Sequence, residues 1–404
     1  MDFSFNDEQR QLADALRRYL DAQYGFDARG AIIHSDAGVS DTHWAAFAEL
    51  GLTALPVPEA YGGFSGGAVD MLVVMQELGR ALVVEPYWAT MVGAEALRLA
   101  GAHGSSVQNS AQNSGQNSGQ NSERGASRGS DLDANATELL ERVAQGALKL
   151  AVAFHEPAAR YDLFAIATTA ALQGDRYLLD GTKSIVQHGA QADCWIVPAR
   201  INGDVALFVV ARDAAGVAIT DYRTIDGQRA ATLQFAHTPA RWLIGAPAGA
   251  AVFERVADYG IVLLCAEALG ALDALNHATI EYTKTREQFG TPIARFQALQ
   301  HRMVEMMIHT EQARSLTYLA AVRYASDDAD ERRRAVSAAK VRIGQAARFV
   351  GQQAIQLHGG MGMTNEVAAA HLFKRLAIIE TTLGDVDHHL ARFAALPGFT
   401  PVDA

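Results

Sequence analysis

Tyr282-Thr-Lys-Thr-Arg286-Glu-Gln-Phe289-Gly290-Thr-Pro292-Ile293-Ala-Arg-Phe296-Gln297-Ala-Leu-Gln300-His301 is the stretch on which the reading of this chain turns. It ends one long helical pattern at an aromatic and a glycine, turns at Thr291-Pro292, and starts a second helix. Arg286 stands one turn before the break, where its planar donor fork can project past the helix end and suits a phosphate or pyrophosphate. Taken alone it reads equally as a surface arginine, so the surrounding sequence must decide.

Working outward, the pattern is helical from Gly249 to near the end of the chain. One helix is expected from about Ala250 to Gln288, a second from Phe296 to Tyr324 and a third from Asp330 to Leu357. Phe296, Leu299, Met303, Met306 and Met307 share a face of the second, which reads as bundle core or an oligomer interface. At the end of the third stands Gln356-Leu-His358-Gly359-Gly360-Met-Gly362-Met-Thr364-Asn-Glu366. Its glycine pair either caps the helix or lets backbone N–H groups approach a ligand with no Cβ in the way.

Before Gly249 the period differs. Leu148 to about Leu243 carries short Val-, Ile-, Thr-, Phe- and Tyr-rich runs at Leu163–Ala171, Tyr177–Leu179, Cys194–Ala199, Leu207–Ala211 and Thr232–Ala236. No helices are interleaved, so an antiparallel β-domain is expected. No G-x-G-x-x-G follows a strand, which argues against a Rossmann site. The first part is helical, opened by Asn6 as a cap with Gln9 in the reciprocal position. Helices follow near Trp44, over Val69–Leu82 and over Trp88–Leu99, with a loop at Leu55–Gly63. Residues 104–135 carry a Gln-Asn-Ser repeat with little apolar surface to offset ordering entropy, and are expected to form a disordered insertion. The chain thus divides into an N-terminal helical domain (1–147), a middle β-domain (148–246) and a C-terminal helical bundle (247–404).

Composition narrows the function. At 404 residues with 49% hydrophobic content, several folded domains are expected. Asp plus Glu is 45 against 34 Lys plus Arg, a net charge of −11. That balance disfavours nucleic acid or an anionic membrane as partner. Two cysteines, an acidic N-terminus with no signal-peptide pattern and no spanning apolar run point to a reduced, cytoplasmic protein. No metal-ligand spacing occurs.

The first string, Y-x-x-x-R-x-x-F-G-x-P-I-x-x-F-Q-x-x-Q-H, and the second, Q-x-H-G-G-x-G-x-T-x-E, each resemble signatures of the acyl-CoA dehydrogenase family. Pro58-Glu59-Ala60-Tyr61-Gly62-Gly63 is similar to a further family segment. The resemblance covers nearly the whole chain except the insertion. It implies the three-domain α+β acyl-CoA dehydrogenase fold ending in a four-helix bundle. It also implies FAD as cofactor, an acyl-CoA as substrate and an electron-transfer flavoprotein as electron acceptor. On that basis Arg286, Phe289, Gln297, Gln356, Gly359 and Gly360 contact FAD, Arg286 and Phe289 reaching the FAD of a neighbouring subunit.

The family reaction removes a proton next to the thioester with a carboxylate base. Counted from Gly359-Gly360, the family glutamate falls at Leu383. Counted from Arg286, the alternative base position of other members falls at Gly260. Neither residue can take a proton. Glu380 and Asp385 are the nearest substitutes, with Asp258 and Asp387 beside them, although each reads as simply as a surface or capping acid. The flavin-facing segments also depart, as His155-Glu156-Pro157 and as Ile185-Val186-Gln187-His188-Gly189. The ending Lys374–Leu390 resembles the pimeloyl-CoA dehydrogenase small-subunit branch. This implies a homo- or heterotetramer with a second acyl-CoA dehydrogenase subunit and α,β-dehydrogenation of a dicarboxylyl or bulky acyl-CoA. The alternatives are a non-catalytic or half-site subunit of an α2β2 enzyme that completes a partner's FAD site, and a nucleic-acid-associated family relative, which the −11 charge disfavours.

Overall fold

The computed structural model describes residues 5–113 and 136–398. The chain begins with helices α1 (Asp7–Gln23), α2 (Phe26–His34), α3 (Asp41–Glu49), α4 (Ala68–Arg80) and α5 (Tyr87–Asn113), then α6 over residues 136–144. The expected capping box forms: Asn6 accepts from Gln9 N at 2.8 Å and Gln9 Oε1 accepts from Asn6 N at 2.9 Å. The expected disordered insertion is corrected at its start. α5 runs on through Asn113, because extending an existing helix adds a hydrogen bond for each residue fixed. Residues 114–135 lie outside the described residues.

Seven strands follow: β1 (Leu150–Val152), β2 (Thr169–Gln173), β3 (Arg176–Gln187), β4 (Cys194–Ile201), β5 (Asp204–Ala211), β6 (Val217–Arg223) and β7 (Arg229–Ile244). β4, β2, β3, β7 and β5 pair in a ring that closes on β4, with β1 added at β4 and β6 at β7. Fully buried Trp195 and Phe208 fill the inside. Pairing is mainly antiparallel, with parallel contacts β1–β4 and β2–β4. The expected strand from Leu163 starts only at Thr169. Upstream, side chains take the backbone groups that a ladder would use. Asp162 accepts from Phe164 N, Arg200 donates to the carbonyls of Phe164 and Ile166, and Glu156 accepts from Ala167 and Thr168 N.

The C-terminal bundle is α7 (Gly249–Thr285), α8 (Gln297–Tyr324), α9 (Ala329–His358), α10 (Ala368–Thr381) and α11 (Val386–Ala394). α4 crosses α7 in backbone contact, since a Cβ on Gly270 would sit 1.8 Å from Gln76 O. That approach joins the first helical region to the bundle. The methionine stripe of α8 divides: Met306 is buried in the core, whereas Met307 is half-exposed beside Val304 and Ile308. Both cysteines are free and buried.

α7 stops three residues earlier than expected. Glu287–Gln288 pairs with Thr291–Pro292 as a two-stranded hairpin, β8 and β9, and Ile293 N donates to Arg286 O at 2.9 Å. Phe289 and Gly290, at φ 55° and 76°, form its tip, both in the left-handed region that tight hairpin turns require.

Candidate functional site

A cleft of about 400 Å³ lies between the sheet and the end of α10. One wall comes from the β1 exit (Phe154, His155, Glu156), β3 (Ser184, Gln187) and the β6–β7 hairpin (Tyr222, Thr224, Gln228). The other comes from Arg375, Ile378, Thr382 and Leu383, with Trp88 at the inner end.

Buried charge fixes the walls. Arg375 on α10 donates twice to Glu267 on α7, at 2.6 and 2.8 Å, and to Asp226 of the β6–β7 hairpin at 2.9 Å. This network locks α10, α7 and the hairpin into one register, and removing Arg375 would leave two uncompensated buried carboxylates. Glu156 is the one carboxylate among the described residues lining the cleft. It accepts from Ala167 N, Thr168 N, Thr168 Oγ1 and Lys183 Nζ, the last at 2.7 Å. These contacts overcome its own burial and hold its carboxyl below the usual range, so it ties the loop and is a poor proton acceptor. Burial dominates at Lys183, whose ammonium is pulled down to about 8 even beside Glu156.

His155 on the sheet wall and His188 just beyond β3 are neutral at pH 7, each depressed to about 4 chiefly by burial. At His188 the tautomer is set by its neighbours. Gln228 Nε2 donates to Val83 O, so Gln228 Oε1 faces His188 Nε2 and must accept from it at 2.9 Å. His188 Nδ1 then carries a lone pair, buried and without a hydrogen-bond partner. The His188 residue lines a side chamber of about 20 Å³ that shares Trp88, Gln187, Gln228 and Arg375 with the cleft.

Leu383 and Gly260, 123 positions apart in sequence, meet in space. A Cβ built on Gly260 lies 3.3 Å from Leu383 Cδ1 and 3.1 Å from the Trp88 ring, and Trp88 Nε1 donates to Gly260 O at 2.9 Å. This corner is wholly apolar. Leu383 sits in the left-handed region at φ 57° because Lys340 gathers the end of α10: its ammonium donates to the carbonyls of Ile379, Glu380 and Gly384 at 2.7–2.8 Å. Burial draws that ammonium down to about 8.

The substitute carboxylates are engaged elsewhere. Glu380 pairs with Arg348 at 2.9 Å and packs against Gly344 of α9, outside the cleft lining. Asp258 is buried between Arg332 and Arg392. Asp387 is exposed in the first turn of α11. Asp385 caps α11 by accepting from His388 N, and its charge lies near Tyr161, a cleft-lining residue whose hydroxyl is pushed up by burial, with Asp385 and Glu380 adding to the shift.

The cofactor candidates lie apart from this cleft. Arg286, Gln297, Gln356, Gly359 and Gly360 are all exposed, and Phe289 is 93% exposed at the hairpin tip. Their two sequence strings are joined by stacking of Tyr282 on His358, with ring centroids 4.5 Å apart. None of the six borders the cleft. The sequence reading missed Arg375, Glu267, Trp88 and Tyr161, whose roles depend on partners far away in the chain.

Models of the acyl-CoA dehydrogenase N-terminal, middle and C-terminal domains match residues 6–108, 151–238 and 248–395. The chain belongs to the acyl-CoA dehydrogenase family. Among its relatives, the acyl-CoA dehydrogenase IpdE2 of Mycolicibacterium smegmatis is 25% identical over 96% of this chain and 99% of its own. A solved Tcur3481–Tcur3483 steroid ACAD variant is 28% identical with TM-score 0.81, covering 96% of this chain and 97% of that one. The ChsE4–ChsE5 complex of Mycobacterium tuberculosis is 25% identical with TM-score 0.81, over 98% of each chain. No helix among the described residues is long and apolar enough to cross a membrane.

Proposed function

We propose that this acyl-CoA dehydrogenase family chain is one subunit of an FAD-dependent enzyme that desaturates an acyl-CoA between Cα and Cβ and passes the electrons to an electron-transfer flavoprotein. The observation that carries this reading is the separation of the walled cleft from the exposed hairpin arm. A site whose cofactor-holding arginine and phenylalanine face outward is built to be completed by a second chain. The half-exposed Val304, Met307 and Ile308 flank of α8 supplies apolar surface for that assembly. Homo- or heterotetramers are the expected form, and heteromeric relatives such as the ChsE4–ChsE5 complex support the second.

The residues fit the flavin. Its ring edge offers both N–H and carbonyl groups, and the sheet wall offers donors and acceptors in Ser184 and Gln187. Arg286, Phe289, Gln297, Gln356, Gly359 and Gly360 would hold the pyrophosphate and adenosine end of a neighbour's FAD. FAD, when bound, supplies the acceptor for the hydride that leaves Cβ. Trp88, Phe154 and Leu383 exclude water from the cleft, which strengthens every hydrogen bond made there. The proton leaving Cα needs a base, and neither Leu383 nor Gly260 is one. When the chain acts through its own cleft, Asp385, whose charge lies near the cleft-lining Tyr161, is the acceptor. The substrate is a bulky or dicarboxylyl acyl-CoA, a reading supported by the branch resemblance of residues 374–390 and by the steroid ACAD relative.

The apolar Leu383–Gly260 corner favours a second reading, in which this chain lends its arm to a partner that holds the catalytic carboxylate. Anaerobic addition of acyl-CoAs to the flavin-loaded protein separates the two. Bleaching of the flavin in the chain purified alone, lost in Asp385→Asn, supports the first. Bleaching only after co-expression with a second family member supports the second. No bleaching in either form overturns both.

A further inference from the structure

On the far side of the β6–β7 hairpin from the cleft lies a second cavity, of about 500 Å³, walled by α2, the hairpin and α10. Thr224 borders both spaces. Three permanent cations converge there, Arg29, Arg223 and Lys374, and among the described residues none of them makes an ion pair. This departs from the rest of the molecule, where arginines such as Arg314, Arg333 and Arg392 each engage two carboxylates. In a chain of net charge −11, a local excess of unpaired cations is not imposed by composition.

The side chains leave donors to spare. Arg223 spends one N–H on Ile33 O at 2.9 Å, and Lys374 spends one on Asn365 Oδ1 at 2.7 Å. Arg29, 2% exposed, is oriented by the carbonyls of Leu82 and Asp226 and by His371 Nδ1. His371 in turn faces Asn365 O through Nε2 at 3.1 Å, so the floor is braced on both sides. Asp27 is the one carboxylate on the lining, against three permanent positive charges. Beside the cations, Ile225 is 68% exposed and Phe26 37% exposed, its ring edge-on to His371. A cationic pocket with an apolar lip matches a ligand with a phosphate at one end and a flat or apolar body at the other.

We propose that this cavity binds the phosphate group of a small phosphorylated ligand, with Arg223 and Lys374 as rim donors and Arg29 beneath them. The site is separate from the cleft, and the proposal does not depend on how FAD is held.

The test is calorimetry on the full-length, FAD-saturated protein in phosphate-free buffer of low ionic strength, with adenosine 5′-monophosphate, inorganic phosphate and adenosine as probes. Saturable binding of the monophosphate at one per chain is expected, with inorganic phosphate competing and adenosine inert. Arg223→Ala and Lys374→Gln should each weaken it about tenfold or more, as expected for the loss of a hydrogen bond to a charged group. Flavin absorbance per chain should stay unchanged in both variants, and each variant tests the proposal even when the other fails to fold. Absence of saturable heat, unchanged affinity in the variants, or adenosine binding as tightly as the monophosphate would overturn the proposal. So would parallel loss of flavin and monophosphate affinity, because the probe would then be reporting the cofactor's own adenosine site.

Discussion

The cleft and the hairpin arm handle polar groups in opposite ways. In the cleft, nearly every charge is neutralised inside the chain: Glu156 by Lys183 and three further donors, Arg375 by Glu267 and Asp226. On the arm, Arg286 and Phe289 sit on a tight hairpin and face outward, with the Phe289 ring edge-on to Phe296. The contrast teaches where each region's stability comes from. Substitutions in the cleft should damage the fold of the single chain, and substitutions on the arm should leave that fold intact and damage what the chain does to a neighbour.

Arg375→Ala should have the largest effect. It strands the Glu267 and Asp226 carboxylates in the core and is expected to cost about 3–5 kcal/mol, measured by denaturant unfolding. A loss under about 1 kcal/mol would break the claim that the buried network fixes the cleft walls.

Leu383→Glu puts a carboxylate into the apolar corner beside Gly260 and Trp88, where burial should raise its pKa toward that of an effective base. The rate of flavin bleaching by a bound acyl-CoA in the chain alone should rise by about 10²–10⁴-fold. An unchanged rate would show that the corner does not face the reacting carbon.

Arg286→Ala should lower flavin affinity in the assembled protein about tenfold or more, while thermal unfolding of the single chain shifts by less than about 0.5 kcal/mol. Unfolding of the chain in this variant would mean that the arm is structural.

The smallest effect concerns pH. Burial raises the Glu85 carboxyl from 4.5 to about 7, against the pull of its hydrogen bonds from Tyr24 and Ser40. The folded chain therefore holds this proton more tightly than the unfolded chain. The stability so gained is complete below about pH 4.5 and is lost as pH rises through about 7. The melting temperature of Glu85→Gln relative to the parent should accordingly be a few degrees more favourable at pH 8 than at pH 5. An equal difference at both values would show that Glu85 does not titrate in that window.

What the sequence disclosed follows the same division. The arm was legible because its residues are close together in the chain and their roles depend on local breaks: a helix end, a turn, a glycine pair. Even there the hairpin was hidden, since Glu287-Gln288 continues a helical pattern until Phe289 and Gly290 both adopt positive φ. The order of helical, β and helical regions was equally visible from period alone. The cleft was not. Arg375 and Glu267 lie 108 positions apart, and nothing local to either announces the other. Counting from the glycine pair reached Leu383 and counting from Arg286 reached Gly260, but only the fold brings them into one corner.

The central claim is that a complete site needs the cleft of one chain and the arm of another. Flavin content followed by absorbance while the purified assembly is diluted to single chains tests it most directly, with Arg286→Ala run in parallel. Flavin should be released as the assembly dissociates, and the variant should release it at higher protein concentration. Single chains that keep their flavin, with Arg286→Ala indistinguishable from the parent, would contradict the account.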